Sequence, residues 1–147
     1  MANATETKFG DPATRLAQTA RWTVLLRPRQ PTLASLVLVC REPALAFSEL
    51  SVDAFADLGR VVRGVEGALK VLTEYERINY LMLMMVDRDV HFHVIPRYAG
   101  TRKFMEREFP DTGWPGAPAL EPAVALEDPV REALLSRLRQ AFRRTGL

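Results

Sequence analysis

Apolar positions cluster along the chain in two repeats, one of two residues and one of about three and a half. Trp22–Leu26 and Leu36–Cys40 are short apolar runs rich in β-branched residues, stopped by Pro28 and Pro43, and predict two strands joined by a turn containing Gln30-Pro31. From Ser51, an N-cap, Phe55, Leu58, Val62, Val65, Leu69 and Leu72 recur every third or fourth residue, while Asp57, Arg60, Arg63 and Lys70 take the opposite face. That is one long amphipathic helix over about 52–73. Gly64 and Gly67 each lower its propensity by ~1 kcal/mol against Ala and mark close packing on a neighbouring element. Ile78–Val86 is too apolar for a half-exposed strand and predicts one covered on both faces. Val86–Asp89 reads as a tight connection, and Val90–Ile95 as the antiparallel return strand, whose ladder ends at Pro96.

The flanks are less regular. Residues 1–10 read as a flexible lead, and Asp11-Pro12 as the cap and first turn of a short helix over about 12–20. Between Gly100 and Pro129 five prolines and two further glycines, Gly113 and Gly116, rule out a long regular element. Asp128-Pro129 then opens a C-terminal helix over 128–145. Its stripe is Val130, Leu134, Leu138 and Phe142 with Ala141, Arg139, Arg143 and Arg144 sit near its negative end, and Gly146 stops it. Strands, helix, strands, loop, helix is an α+β order with an antiparallel sheet in one domain spanning 1–147.

Composition narrows the function. With 147 residues, 48% of them apolar, the chain can bury a core. Its net charge of +2 carries no nucleic-acid signature and mildly favours anionic ligands. The single cysteine, Cys40, excludes an internal disulfide, reads as a small core residue, and fits a reducing cytoplasm. No run reaches the ~20 apolar residues of a membrane span, and the polar N-terminus lacks the apolar middle of a signal peptide. The expectation is a cytoplasmic protein that meets neither membrane nor nucleic acid.

Both histidines of the chain, His91 and His93, lie two apart on the second of the paired strands, so they share a face with Asp89, while Val90, Phe92 and Val94 take the other. Three chemistries use such a face. The pair could ligate a metal, but only carboxylates could complete the shell. Both rings could be structural, satisfied by backbone groups. Or an imidazole could act as a nucleophile, oriented by its neighbours.

The segment D-V-H-F-H-V-I-P-R, residues 89–97, resembles the motif of the histidine triad (HIT) superfamily, His-x-His-x-His, in the variant that ends Pro-Arg. Asp89 stands at the first His position, His91 at the middle one and His93 at the last. The resemblance extends over about 20–125, including Trp22–Ser51, Asn79 and a loop from Pro110 to Pro115 with Trp114. It departs from the family at Asp89, at Ala34-Ser35 where the family has Gly-His, and at Met84-Met85-Val86 where a Gly-Gln pair is missing.

The resemblance implies a HIT-like α+β fold and a homodimer whose sheets join. It also implies a nucleotide hydrolase or nucleotidyl transferase acting on dinucleoside polyphosphates or nucleotide phosphoramidates through a covalent nucleotidyl-histidine. His91 would be the nucleophile, with His93 and Asp89 orienting it and handling protons. Asn79, Ser35, Arg97 and Trp114 are the candidate substrate contacts, with Arg102 and Lys103 behind them. No metal or cofactor is required, although Mg²⁺ can accompany the substrate. The rival function is a nucleotide-binding module with little or no turnover, because Asp89 replaces a histidine and the supporting histidine is absent. The Asp89 carboxylate could favour a protonated, poorly nucleophilic His91, or could hold its ring in one tautomer.

Overall fold

The computed structural model describes all 147 residues. In chain order the elements are α1 (Ala4–Lys8), β1 (Arg15–Gln18), β2 (Trp22–Leu26), β3 (Arg29–Gln30), β4 (Leu36–Cys40), α2 (Val52–Thr73), β5 (Arg77–Leu81), β6 (His91–Arg97), β7 (Arg102–Phe104), β8 (Arg107–Phe109), β9 (Val124–Ala125) and α3 (Val130–Arg143). Five strands make one antiparallel sheet in the order β1-β2-β4-β6-β5. The α+β architecture, with one long helix on an antiparallel sheet and a helix at the C-terminus, is the one the sequence predicts.

Strand alternation gives the sheet two different faces. Trp22, Val24, Leu26, Leu36, Leu38 and Val94 belong to one large core with α2 and α3 residues such as Val61, Val65, Leu69, Leu134, Leu138 and Phe142. The indole Nε1–H of Trp22 donates to the Ala54 carbonyl at 2.9 Å, which ties the sheet to the first turn of α2. The other face holds a small apolar cluster of Leu25, Val37, Val39 and Phe9. In register beside it, His91 opposes Val39 and His93 opposes Val37.

Ser51 caps α2 as expected, its side chain accepting from the Ala54 N–H. The buried stripe is displaced from the expected one, however. Ala54, Val61, Gly64, Val65, Ala68, Leu69 and Thr73 are buried, whereas Phe55 is exposed and packs on Phe47. Small residues take the contact line because they let the helix come close to its neighbours. A Cβ on Gly64 would fall 2.4 Å from the side chain of Leu147, the close packing expected of that glycine.

Five expectations fail. Residues 12–20 hold a strand and no helix: Leu16 and Ala17 are buried against the core, and the Asp11 carboxylate binds Arg15 at 2.8 Å instead of capping a turn. The N-terminal lead contains α1, closed by a reciprocal capping box between Asn3 and Glu6. The apolar run 78–86 is a strand only to Leu81, and β5 is a half-exposed edge, because β6 pairs with it no further than His93. Residues 82–90 form a long connection, not a tight turn, since Val90 is drawn away to bond Ala44 and Cys40. Finally, β6 continues through Pro96 to Arg97. The Pro96 carbonyl accepts from Thr32 Oγ1, so its nitrogen, which points the same way, faces the space beyond the end of β4 where no ladder bond is lost.

Candidate functional site

The two imidazoles lie side by side on β6 with ring centres 5.1 Å apart and planes nearly perpendicular. Both are deeply covered, His91 at 2% exposure and His93 at 6%. The N-terminal segment supplies much of the cover. The edge of Phe9 meets the His93 ring, with centres 5.9 Å apart.

Each ring has one nitrogen engaged. His91 Nδ1 lies 2.7 Å from the backbone carbonyl of Asp89. A carbonyl can only accept, so the proton sits on Nδ1, and Nε2 carries the lone pair of the neutral ring. His93 Nδ1 accepts a long hydrogen bond, 3.4 Å, from the Arg27 Nε–H, which places the proton of neutral His93 on Nε2. Burial first, then the charge of Arg27 and the neighbouring His91, push His93 down to about 4, so it is neutral at physiological pH. Neither Nε2 has a hydrogen-bond partner and no unpartnered side-chain nitrogen is fully enclosed, so the sliver of access each ring keeps includes that atom. The five principal cavities are lined by neither ring.

Asp89 stands at the end of the 82–90 connection, just outside β6. Its carboxylate accepts from Thr5, at 3.1 Å from the backbone N–H and 2.9 Å from Oγ1. The neighbouring Asp87 binds Lys8 at 2.7 Å. The side chain at the first motif position thus ties α1 down over the site, while the backbone of the same residue orients His91.

The remaining candidates fall elsewhere. Arg97 is buried in a bidentate ion pair with Asp111, at 2.7 and 3.1 Å, and also donates to Asn79 Oδ1 and the Gly116 carbonyl. It anchors the loop that follows β8 and is not a free phosphate ligand. Burial works against the Asp111 charge, but hydrogen bonds from Arg97 and the Tyr98 N–H outweigh it and hold the carboxyl below its usual range. Ser35 is buried in a turn, its hydroxyl donating to the Thr32 carbonyl at 2.8 Å, and has no opening toward a phosphate. Trp114 stays half-buried outside the core and, with Asn79 and Arg97, lines a cleft of about 690 Å³ along β5 that excludes both histidines.

Arg102 is spent on the carbonyl of Thr73 at the end of α2 and stacks on Tyr98, and Lys103 is exposed. Cys40 is a buried core residue whose thiol burial pushes up. No three His, Cys, Asp or Glu side chains converge as a metal shell would require. The sequence reading missed Arg27, Phe9 and Thr5. Arg27 alternates with Leu25 at the end of β2, a signal that places it on the histidine face only once the strand pairing is known.

No protein-family model matches the sequence, and no curated protein matches it. Solved structures do. A histidine triad protein from Bradyrhizobium japonicum superposes with a TM-score of 0.75 at 21% identity, covering 97% of each chain. One from Sinorhizobium meliloti gives 0.74 at 22% identity over 96% of each chain. The fold is the histidine triad fold. A hypothetical histidine triad nucleotide-binding protein from Sulfolobus tokodaii shares it at a TM-score of 0.67 and 18% identity, over 89% of this chain and 84% of that one. Within this histidine triad fold, β6 is the strand that carries both histidines, and the face it presents is the one opposite α2 and α3.

Proposed function

We propose that the chain is a phosphorus-directed nucleotide hydrolase or nucleotidyl transferase in which His91 Nε2 is the nucleophile. The observation that carries this reading is the Nδ1 contact to the Asp89 carbonyl. It fixes the tautomer that leaves a lone pair on the one nitrogen of His91 that meets solvent, and it comes from the backbone, so Asp at the first motif position leaves it intact. In the proposed cycle Nε2 attacks the α-phosphorus of a dinucleoside polyphosphate or nucleotide phosphoramidate and forms a P–N bond. The P–O or P–N bond to the leaving group breaks, and the leaving group takes a proton. Water or another acceptor then displaces His91. The Nε2–H of His93 is a donor for a non-bridging oxygen, where a preorganised hydrogen bond stabilises developing charge. No cofactor is needed for this chemistry, and Mg²⁺ would travel with a polyphosphate substrate.

The unpaired edge of β5 and exposed Leu83, Met85 and Val86 beside it support the proposal that two copies join their sheets there. No helix is long and apolar enough to cross a membrane, and we place the protein in the cytoplasm on its free buried cysteine.

The test is turnover of diadenosine polyphosphates and an adenosine phosphoramidate by wild type and His91→Asn. Loss of His91 should lower the rate by about 10³-fold or more, as when an attacking group is removed. An acid-quenched reaction with labelled substrate should leave an acid-labile adduct on wild type only. Equal rates in the two proteins would end the nucleophile assignment. A second reading is favoured by one observation, the depth at which both rings lie: a nucleotide-binding module with weak turnover would bind the same ligands and release them unchanged.

A further inference from the structure

Arg97 and Arg102, the arginines that the sequence places at the site, are committed elsewhere, but Arg27 is not. It follows Leu26 at the end of β2, where its N–H bonds the Ser35 carbonyl and continues the ladder to β4. Its half-buried side chain lies across the histidine face. Nε–H reaches His93 Nδ1, and Nη1 donates to the Arg29 carbonyl at 2.8 Å. Nη2 has no protein partner and is not enclosed. No carboxylate is within ion-pair distance: Asp111 holds Arg97, and Glu121, the acidic group whose charge is felt at Arg27, pairs with Arg29 at 3.9 Å. Asp87, on the same side of the site, is taken by Lys8.

A guanidinium partly removed from water without a counter-charge is costly, and its own charge is disfavoured by that burial. An anion would offset the cost. The free edge of Arg27 lies beside a ring whose Nε2–H is a second donor, and that ring stands next to His91, with ring centres 5.1 Å apart. A phosphate offers several acceptor oxygens, and a guanidinium matches it in shape as well as charge.

We propose that Arg27 is the anion-binding residue of the histidine site, taking a phosphate oxygen on Nη2 while its Nε–H holds His93 as the Nε2–H tautomer. This rests on the reading of the histidines as a nucleotide site, but on binding rather than on turnover. The consequence is selectivity for the charge of the ligand: a nucleoside monophosphate binds through Arg27, and the uncharged nucleoside does not use it.

Isothermal titration of the full chain with AMP and with adenosine tests it, in wild type, Arg27→Gln, Arg27→Lys and His91→Asn. Arg27→Gln should weaken AMP by about ten- to a hundredfold, the worth of a hydrogen bond to a charged group. It should leave adenosine within twofold (roughly the scatter of context effects on a single contact). Arg27→Lys should restore part of the loss, and His91→Asn should still bind AMP in the Arg27-dependent manner even if it turns nothing over. Unfolding curves confirm that each variant is folded. If Arg27→Gln binds AMP as wild type does, loses AMP and adenosine alike, or if wild type binds no AMP, Arg27 is not the anion site. Failure of the nucleophile assignment shows up separately, as AMP binding that keeps its Arg27 dependence in a protein whose turnover ignores His91.

Discussion

His93 shows how two neighbours and burial decide what a residue does. Its folded value of about 4 lies below the 6.5 of an exposed imidazole, through burial first and then the charges of Arg27 and His91, with Asp87 opposing and Lys8 assisting. Between those two values the unfolded chain binds the proton and the folded chain does not, so stability rises with pH across that window. Melting temperatures should therefore fall as pH drops from about 6.5 to 4. The loss from this group is roughly 2 kcal/mol once the partial solvent contact at Nε2 is allowed for, and it should be absent in His93→Gln. The Asp111 carboxyl is depressed, so its contribution is held above its unfolded value and lost below it, at more acid pH than the His93 window. Its pair with Arg97 is buried, and Asp111→Ala should destabilise the chain by about 3–5 kcal/mol, because a guanidinium is left buried without a partner. A urea titration read by tryptophan fluorescence measures this. Asp89 looked from the sequence like the partner of the His91 ring. Its carboxylate instead holds Thr5, because an acceptor at that point meets two donors of the first turn of α1.

At the scale of elements, α1 is too short to be stable alone and persists because tertiary contacts fix it. Asn3 reaches the Cys40 carbonyl, Glu6 accepts from Thr23, Thr5 binds Asp89, Lys8 binds Asp87, and Phe9 closes on His93. Asp89→Ala should loosen this cover. The expected result is faster amide hydrogen exchange over residues 4–9 with β4 protection unchanged, and unchanged exchange at Thr5 would refute the clasp. The sequence reads 1–10 as a flexible lead although Asn3 and Glu6 stand at capping-box spacing, and nothing local said that so brief a helix would lie across the motif strand. For β5 the same limit applies in reverse. Its apolar composition reads as full burial, yet composition cannot say where a partner strand stops pairing. If that edge joins a second copy, light scattering will give twice the 16.6 kDa of one chain, and a charged residue at Leu83 will shift it toward the monomer.

Across the whole molecule, the sheet separates two jobs. One face is a continuous apolar core with α2 and α3, and Trp22 fastens it to the start of α2. Trp22→Ala should cost about 3–5 kcal/mol in an unfolding titration, from lost burial and the lost indole bond to the Ala54 carbonyl. The other face carries the two histidines and one unpaired guanidinium, with the N-terminal segment laid over it. Periodicity and composition were enough to set the α+β order, the long helix, the antiparallel pairing of β5 with β6, and the placing of Val90 and Val94 in the core opposite the histidine pair. Those follow from side-chain spacing within single segments, which is local information. The tertiary structure alone decided which polar group meets which. It sent Arg97 to Asp111 and Ser35 to its own turn, turned Asp89 toward Thr5, and brought Arg27 over from another strand. Such pairings depend on the register of strands distant in sequence and on where each strand ends, and neither is written in the spacing of residues along one segment.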